Sequence, residues 1–376
     1  MRVKIQHLIL IVIGTIAGLI LGEIILSVLD YPKGYKMILV AIEEVKERKF
    51  AKWWVYDPKV GTKFDRDHIT KDILLKATGI SANWKRLSIV NKDGYHDKDE
   101  FVKPSQSKLK ILVLGDSFAW GASSDIGFSF VELFEKMITQ DNPSALVWNT
   151  AIPACGTNQQ ILILRKYHPI MDPDFVILCF FENDFYSNIR PLDEDLRTES
   201  GIIINQYQYD KCQRRYLKLD NERILERLNK RYVTEYGDWI QKTRIGYIIL
   251  NNIMLASYKP QKFSLANHLV GQTTGIIKAI QKYTHEHGSQ LVVLTIPSRK
   301  TVILKGINSE YLAIRKILTE NSIKFLDPIA LLSKKDYQPL PDSHWNNSGH
   351  QKVGYALYAM FRELLAARSP DNVSAY

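Results

Sequence analysis

The stretch "ILVLGDSFAWG", Ile111 to Gly121, decides the fold. Four apolar residues run unbroken into Gly115, and an acid and a serine follow. An apolar run of this kind, closed by a glycine, reads as a strand buried on both faces. Such strands belong to parallel sheets covered by helices, where chemistry collects at the carboxyl ends of the strands. Ser117 stands at such an end.

Working outward, the same pattern recurs. "KILVLGDS" (110–117), "LVWNTAI" (146–152), "DFVILCFFEND" (174–184), "QLVVLTIPS" (290–298) and "IKFLDP" (323–328) all read as buried strands. Helical stretches lie between them, at about 128–140, 157–168, 271–287 and 308–321, and a last helix is expected at about 347–366. Alternation of this kind predicts an α/β fold, a parallel sheet with helices on both sides. One interval breaks the rhythm. Residues 186–270 carry many charges and helical character, as in "NERILERLNKRYVTEYGDWIQKTR", and so long a connection is expected to fold, here as a helical cap or lid. Lys36 to Lys49 reads as a short amphipathic helix, and 50–107 as an extension without clear period. Trp53 and Trp54 in it are expected to pack on the main domain or to meet a membrane interface.

The chain has 376 residues, 45% of them hydrophobic and 24% charged, enough to bury a sizeable core. Its net charge of +10 favours anionic partners such as lipid headgroups or acidic glycans. There is no basic run with interleaved aromatics, which argues against nucleic acid. The cysteines Cys155, Cys179 and Cys212 are too few and too scattered for a disulfide framework or a metal cluster. "HEH" at 285–287 lacks an evident third ligand and reads as a solvated helix end.

Leu8 to Leu29 is an apolar run with one charge, Glu23, long enough to cross a bilayer core. Arg2 and Lys4 precede it and no small-residue cleavage site follows, so residues 1–30 read as an uncleaved signal anchor. The two amino-terminal cations place the bulk of the chain outside the cytoplasm, although Lys33 and Lys36 pull the other way. Gly14, Gly18 and Gly22 repeat every fourth residue on one helix face. They read either as a pairing face for a homodimer or as the ordinary glycine content of a membrane helix.

A serine hydroxyl needs a base to take its proton, and a histidine base needs a carboxylate to orient it. "PLPDSHWNNSGHQKVG" supplies Asp342 and His344 in a polar loop before the last helix. The second strand leads to Gly156 in "NTAIPACGTNQQ", and the third ends in "FENDF" with Asn183. The N–H groups of Ser117 and Gly156 and the Asn183 amide would then be three donors for an oxyanion. Taken singly, Ser117 could be a helix cap, Asn183-Asp184 a turn and His344-Trp345 a packed loop. Together those readings need four coincidences. Asp116 is expected to tie the turn together, and His350 to be structural.

With these four blocks in order, the chain resembles the SGNH (GDSL-type) hydrolase superfamily over about 108–366. The blocks are "GDSF", "ACGTN", "ENDF" and "DSHWN". The resemblance implies a flavodoxin-like three-layer α/β/α sandwich. It implies Ser117 as nucleophile, His344 as base, Asp342 as its partner, and Ser117, Gly156 and Asn183 as the oxyanion hole, with no metal or organic cofactor. The sequence departs from the pattern twice. Phe181 stands where the third block usually has glycine, which is expected to narrow the pocket beside Asn183. Only Ser343 separates Asp342 from His344, where two residues are usual. The shorter form is similar to that of some membrane-linked relatives and of alginate O-acetylating enzymes. The expected activity is that of a membrane-anchored esterase acting on an O-acyl group, acetyl among the candidates, of a cell-envelope glycan or lipid. The alternatives are an O-acyltransferase acting on an extracytoplasmic polysaccharide and a non-catalytic, membrane-tethered glycan-binding or scaffold protein. "NNS" at Asn346 matches a glycosylation acceptor beside the base, which suits an exported bacterial protein.

Overall fold

The computed structural model describes residues 2–29, 54–57, 60–64, 66, 89–104, 109–153, 155–188, 194–197, 203–206, 243–246, 248–249, 265, 267–338 and 343–368. The chain divides into two compact units. The first gathers Met1–Ala51, Tyr216–Lys259 and Pro339–Asp342; the second gathers Lys52–Arg215, Pro260–Gln338 and Ser343–Tyr376.

In the first unit, α1 (Arg2–Val28) contains the apolar run, and its Leu10–Val28 portion is long and apolar enough to cross a membrane. The glycines of its small face differ in surroundings. A Cβ added at Gly14 or Gly18 would meet nothing within 4 Å, whereas one at Gly22 would lie 3.1 Å from Ile245 Cδ1. The adjacent Glu23 carboxylate accepts from the backbone N–H of Arg244 at 2.7 Å and of Ile245 at 3.1 Å. These N–H groups open a helical turn at 244–246, and a carboxylate satisfies the free donors of such an end. The Gly22 end of the small-residue face is thus occupied by the chain's own Ile245 side chain.

The second unit begins with an antiparallel hairpin, β1 (Trp54–Asp57) and β2 (Gly61–Phe64). The main sheet follows: β3 (Leu109–Leu114), β4 (Ala145–Asn149), β5 (Phe175–Phe181), β8 (Gln290–Ile296) and β9 (Phe325–Leu326). A second hairpin, β6 (Glu194–Arg197) and β7 (Ile203–Gln206), lies within the long insertion. The sheet order is β4-β3-β5-β8-β9, all pairs parallel, which is the flavodoxin-like order. All five strands read from the sequence are present. The helices are α2 (Ser117–Trp120), α3 (Phe130–Asp141), α4 (Thr157–Met171), α5 (Asp184–Ser187), α6 (Asn267–Glu286), α7 (Arg299–Ile303), α8 (Ser309–Glu320) and α9 (Asn347–Arg368).

The strands alternate faces residue by residue, and both faces are covered. Leu112, Leu114, Val176, Leu178, Phe180 and Val293 pack with Ile161 and Leu164 of α4, Ile276 and Ile280 of α6, and Ile314 of α8. On the other face α3 packs on α9, with Phe134 and Phe175 each about 5 Å from Phe361. This explains why the strands read as unbroken apolar runs. Helix α3 starts on a reciprocal cap: Ser129 Oγ accepts from the Glu132 N–H, and Glu132 accepts from the Ser129 N–H.

Two expectations need adjustment. The described part of the insertion includes the β6–β7 hairpin, so it is not built of helices alone. The segment without period also enters the core: Val60, Tyr95 and Phe101 are buried with Tyr167 of α4. The amphipathic helix read at 36–49, the Trp53 and Trp54 side chains, and most of the charged stretch after 220 lie outside the described residues.

Candidate active site

Strand β3 lies between β4 and β5, at the point where the sheet order reverses and a crevice opens at the carboxyl edge. The chain leaves β3 through Gly115. A Cβ there would sit 2.5 Å from Ala119 Cβ and 2.9 Å from Cys179 Cβ, so only glycine lets α2 turn back tightly over β5. Asp116 then caps α2, its Oδ1 accepting from the Phe118 N–H at 3.0 Å. Ser117 is the first residue of α2, so its N–H points out of the helix end with no partner inside the helix.

His344 arrives from the opposite end of the chain, and its Nε2 lies 2.8 Å from Ser117 Oγ. Both side chains are partly exposed, as a reacting pair must be. With its ring proton on Nδ1, His344 accepts from the serine hydroxyl. The loop carrying it is held at many points. Tyr337 and Trp345 pair as an isolated bridge, and the Gln338 N–H donates to His344 O at 2.8 Å. Gln338 Nε2 donates to Ser123 O at 2.6 Å, and Asn347 Nδ2 donates to Asp125 Oδ2 at 2.7 Å, which ties this loop to the one after the nucleophile. Trp345 is fully buried, and Phe118 is wedged between it and His344 at 4.9 Å from each ring. Asn346 Nδ2 is bound to Lys335 O and its Oδ1 caps Ser348 and Gly349, so this amide serves the start of α9. His350 is buried in α9 and accepts from the Phe130 N–H.

Gly156 is the cap of α4, and Asn183 is the cap of α5 directly after β5. The three expected donors therefore all stand at helix amino ends beyond β3, β4 and β5. Such ends favour negative charge. A Cβ at Gly156 would meet Ser187 Cβ at 2.7 Å and Asn158 Oδ1 at 2.9 Å, so glycine is required there as well. Asn183 is exposed and makes no cap hydrogen bond to its helix. The Phe181 ring lies 4.7 Å from that of Phe118. Asp342 lies outside the described residues.

Beneath Ser117 is a buried acidic pair. Burial pushes the Asp116 carboxyl up to about 6, against the pull of the Phe118 N–H and of the His344 charge. Burial also raises Asp184, helped by repulsion from Asp116 and opposed by the Thr157 hydroxyl that donates to it at 2.7 Å. Cys155 and Cys179 lie buried beside this pair, and burial holds both thiols neutral. Among the described residues no group of three or more His, Cys, Asp or Glu side chains gathers as a metal site.

Further residues shape the site although their sequence context does not mark them. Glu182 precedes Asn183 and is almost completely buried. It accepts from the Ser298 N–H at 2.9 Å, from Asn308 Nδ2 at 2.6 Å and from the Thr301 hydroxyl. Gln338 and Asn347 hold the base loop as described. Their partners lie far away in the chain, so no local pattern reveals them.

The sheet order, the strand-end serine and the paired histidine agree with the fold expected from the SGNH resemblance. No family model matches the chain, and no curated protein matches it. Solved structures with a similar outline include a two-domain esterase active on acetylated mannans (12% identity, 70% of this chain, 51% of that one, TM-score 0.39). They also include a lipase/acylhydrolase from Enterococcus faecalis (12% identity, 68% and 96% covered, TM-score 0.38). A third is an acetyl xylan esterase from Geobacillus stearothermophilus (12% identity, 69% and 96% covered, TM-score 0.38). The chain spans about half the length of the first of these. Ser117 and His344, rather than these likenesses, carry the functional reading.

Proposed function

We propose that this chain is a serine hydrolase of the SGNH type that cleaves O-acyl esters through an acyl-enzyme. The observation that carries this reading is the 2.8 Å hydrogen bond between His344 Nε2 and Ser117 Oγ at the switch point of the sheet. In the proposed cycle Ser117 Oγ attacks the ester carbonyl as His344 takes its proton. The N–H groups of Ser117 and Gly156 and the Asn183 amide receive the developing oxyanion, each worth roughly 3 kcal/mol in the transition state. His344 returns the proton to the leaving alcohol. Water, activated by the same imidazole, then releases the acid. Asp342 is assigned to hold the Nδ1–H tautomer of His344.

Helix α1 is read as a membrane anchor with the second unit outside the cytoplasm. An O-acylated glycan or lipid of the cell envelope is the proposed substrate. If a sugar hydroxyl replaced water, the same acyl-enzyme would make the chain an O-acyltransferase. The Asp342-Ser343-His344-Trp345 spacing, similar to that of alginate O-acetylating enzymes, favours keeping this second reading. A scaffold role would leave the Ser117–His344 pairing without a purpose.

The test is incubation with p-nitrophenyl acetate, with and without oligosaccharide acceptors, following both hydrolysis and acetylated product. A phosphonate probe should label Ser117, as read by mass spectrometry of the labelled peptide. Labelling or turnover that survives Ser117→Ala would overturn the assignment.

A further inference from the structure

We infer that Glu182 is a positioning residue that fixes the relative placement of Asn183 and His344, an inference that rests on the serine-hydrolase reading. Glu182 follows the last residue of β5, and its side chain enters the turn that follows β8. There the Ser298 N–H (2.9 Å), the Thr301 hydroxyl and the Asn308 amide (2.6 Å) all donate to it. The backbone N–H and the amide can only donate and the Thr301 hydroxyl can donate as well, so the set forms a socket for an acceptor carboxylate. The carboxylate is nearly sealed from solvent, and the Ser298 side chain joins these donors in offsetting the burial of its charge.

The same turn reaches the base loop. Pro297 O accepts from the Tyr337 hydroxyl at 2.7 Å, and Arg299 Nη1 donates to Gln338 O at 3.2 Å. Gln338 in turn donates its N–H to His344 O at 2.8 Å and its side-chain amide to Ser123 O at 2.6 Å. An unbroken path thus runs from Glu182, one peptide unit from Asn183, through residues 297–299 and 337–338 to His344. Neither end of this path touches the other in sequence. Burial pushes the Glu182 carboxyl up to about 7, against the opposing pull of the Thr301 and Ser298 donors.

Asn308 provides a rescue. Its Oδ1 caps α8 by accepting from the Glu310 N–H, and its Nδ2 donates to Glu182. Exchanging the two groups, Glu182→Gln with Asn308→Asp, keeps an amide facing a carboxylate and keeps an N-cap of the preferred kind. Each single change puts two like groups face to face.

The experiment uses the full chain in detergent micelles with p-nitrophenyl acetate, and thermal melts of every variant. Glu182→Gln and Asn308→Asp should each lower kcat by about tenfold or more with KM nearly unchanged, because a misplacement of about an ångström acts on the transition state. The double variant should return most of the lost kcat. All variants should remain folded at the assay temperature. A Glu182→Gln chain that keeps its kcat would overturn the positioning role alone. So would losses that track only the folded fraction, or a double variant no better than the singles. Absence of Ser117-dependent hydrolysis by the unaltered chain would overturn the hydrolase reading and this inference with it.

Discussion

Replacing Gly115 by alanine tests whether the nucleophile depends on the tight exit from β3. The new Cβ would stand 2.5 Å from Ala119 Cβ and 2.9 Å from Cys179 Cβ. Carbon atoms in contact normally sit about 3.5–4.0 Å apart, so about 1 Å must be found. Cys179 is in the middle sheet strand β5 and is fully buried, so the sheet does not yield readily. Helix α2 must lift instead, although Ala119 O is held by Asn149 Nδ2 at 2.9 Å. Overpacking of this kind costs roughly 1–3 kcal/mol of stability. A lift of about 1 Å also takes Ser117 Oγ out of hydrogen-bond range of His344, which is worth about 10²-fold in turnover. The assay is hydrolysis of p-nitrophenyl acetate beside a thermal melt. Ala119→Gly removes the closer of the two clashes, so Gly115→Ala with Ala119→Gly should regain part of the activity. It does so despite a helix penalty of up to about 1 kcal/mol from the second change. Full turnover by Gly115→Ala, or a deeper loss in the double variant, would refute the reasoning.

Three other outcomes are expected. Asp342→Asn should leave the melt unchanged but lower turnover by up to ~10⁴-fold if it holds His344 in the reactive tautomer; retention of most activity, with His344→Ala inactive, would point to Asp116, whose charge already interacts with His344. Burial raises the Asp97 carboxyl from 3.8 to about 8, so its contribution to stability is complete below pH 4 and is lost as pH rises toward 8. Asp97→Asn should therefore gain on the unaltered chain by about 1.4 kcal/mol per pH unit in that window, and melts at parallel slopes from pH 5 to 8 would contradict this. Gly22→Ile should disturb the contact with Ile245 and weaken a disulfide formed between cysteines placed at Glu23 and Arg244, whereas Gly18→Ile, with nothing near its Cβ, should not; equal effects would remove the distinction between the two ends of that face.

The sheet was legible because its strands are covered on both sides and so read as nearly unbroken apolar runs, with polar residues mostly at their ends. Ser117 and His344, which the structure brings to 2.8 Å, were legible because each stands in a recognisable local pattern. The first hairpin and residues 89–104 were not. Tyr95 owes its burial to Phe101 and Tyr167, and Asp97 to the Asn149 N–H at 2.6 Å, contacts that no periodicity within the segment encodes. Glu182 reads in the sequence as an ordinary acid at a strand end, because its donors lie more than a hundred residues away. The second hairpin had no apolar alternation strong enough to stand against the helical character around it. Phe181, expected to narrow the pocket beside Asn183, has its ring paired with that of Phe118.

The burial of the segment before β3 has a practical side. Val60, Tyr95 and Phe101 fill a hollow against Tyr167, while Phe64 and His96 lean on Trp120, which closes the nucleophile helix. A soluble fragment cut just ahead of Leu109, where the strand pattern begins, would strip that padding away and leave an aromatic floor facing water. Secretion or crystallisation of the second unit therefore calls for a boundary ahead of Trp54. What looks on paper like a linker is, in the folded chain, that unit's own upholstery.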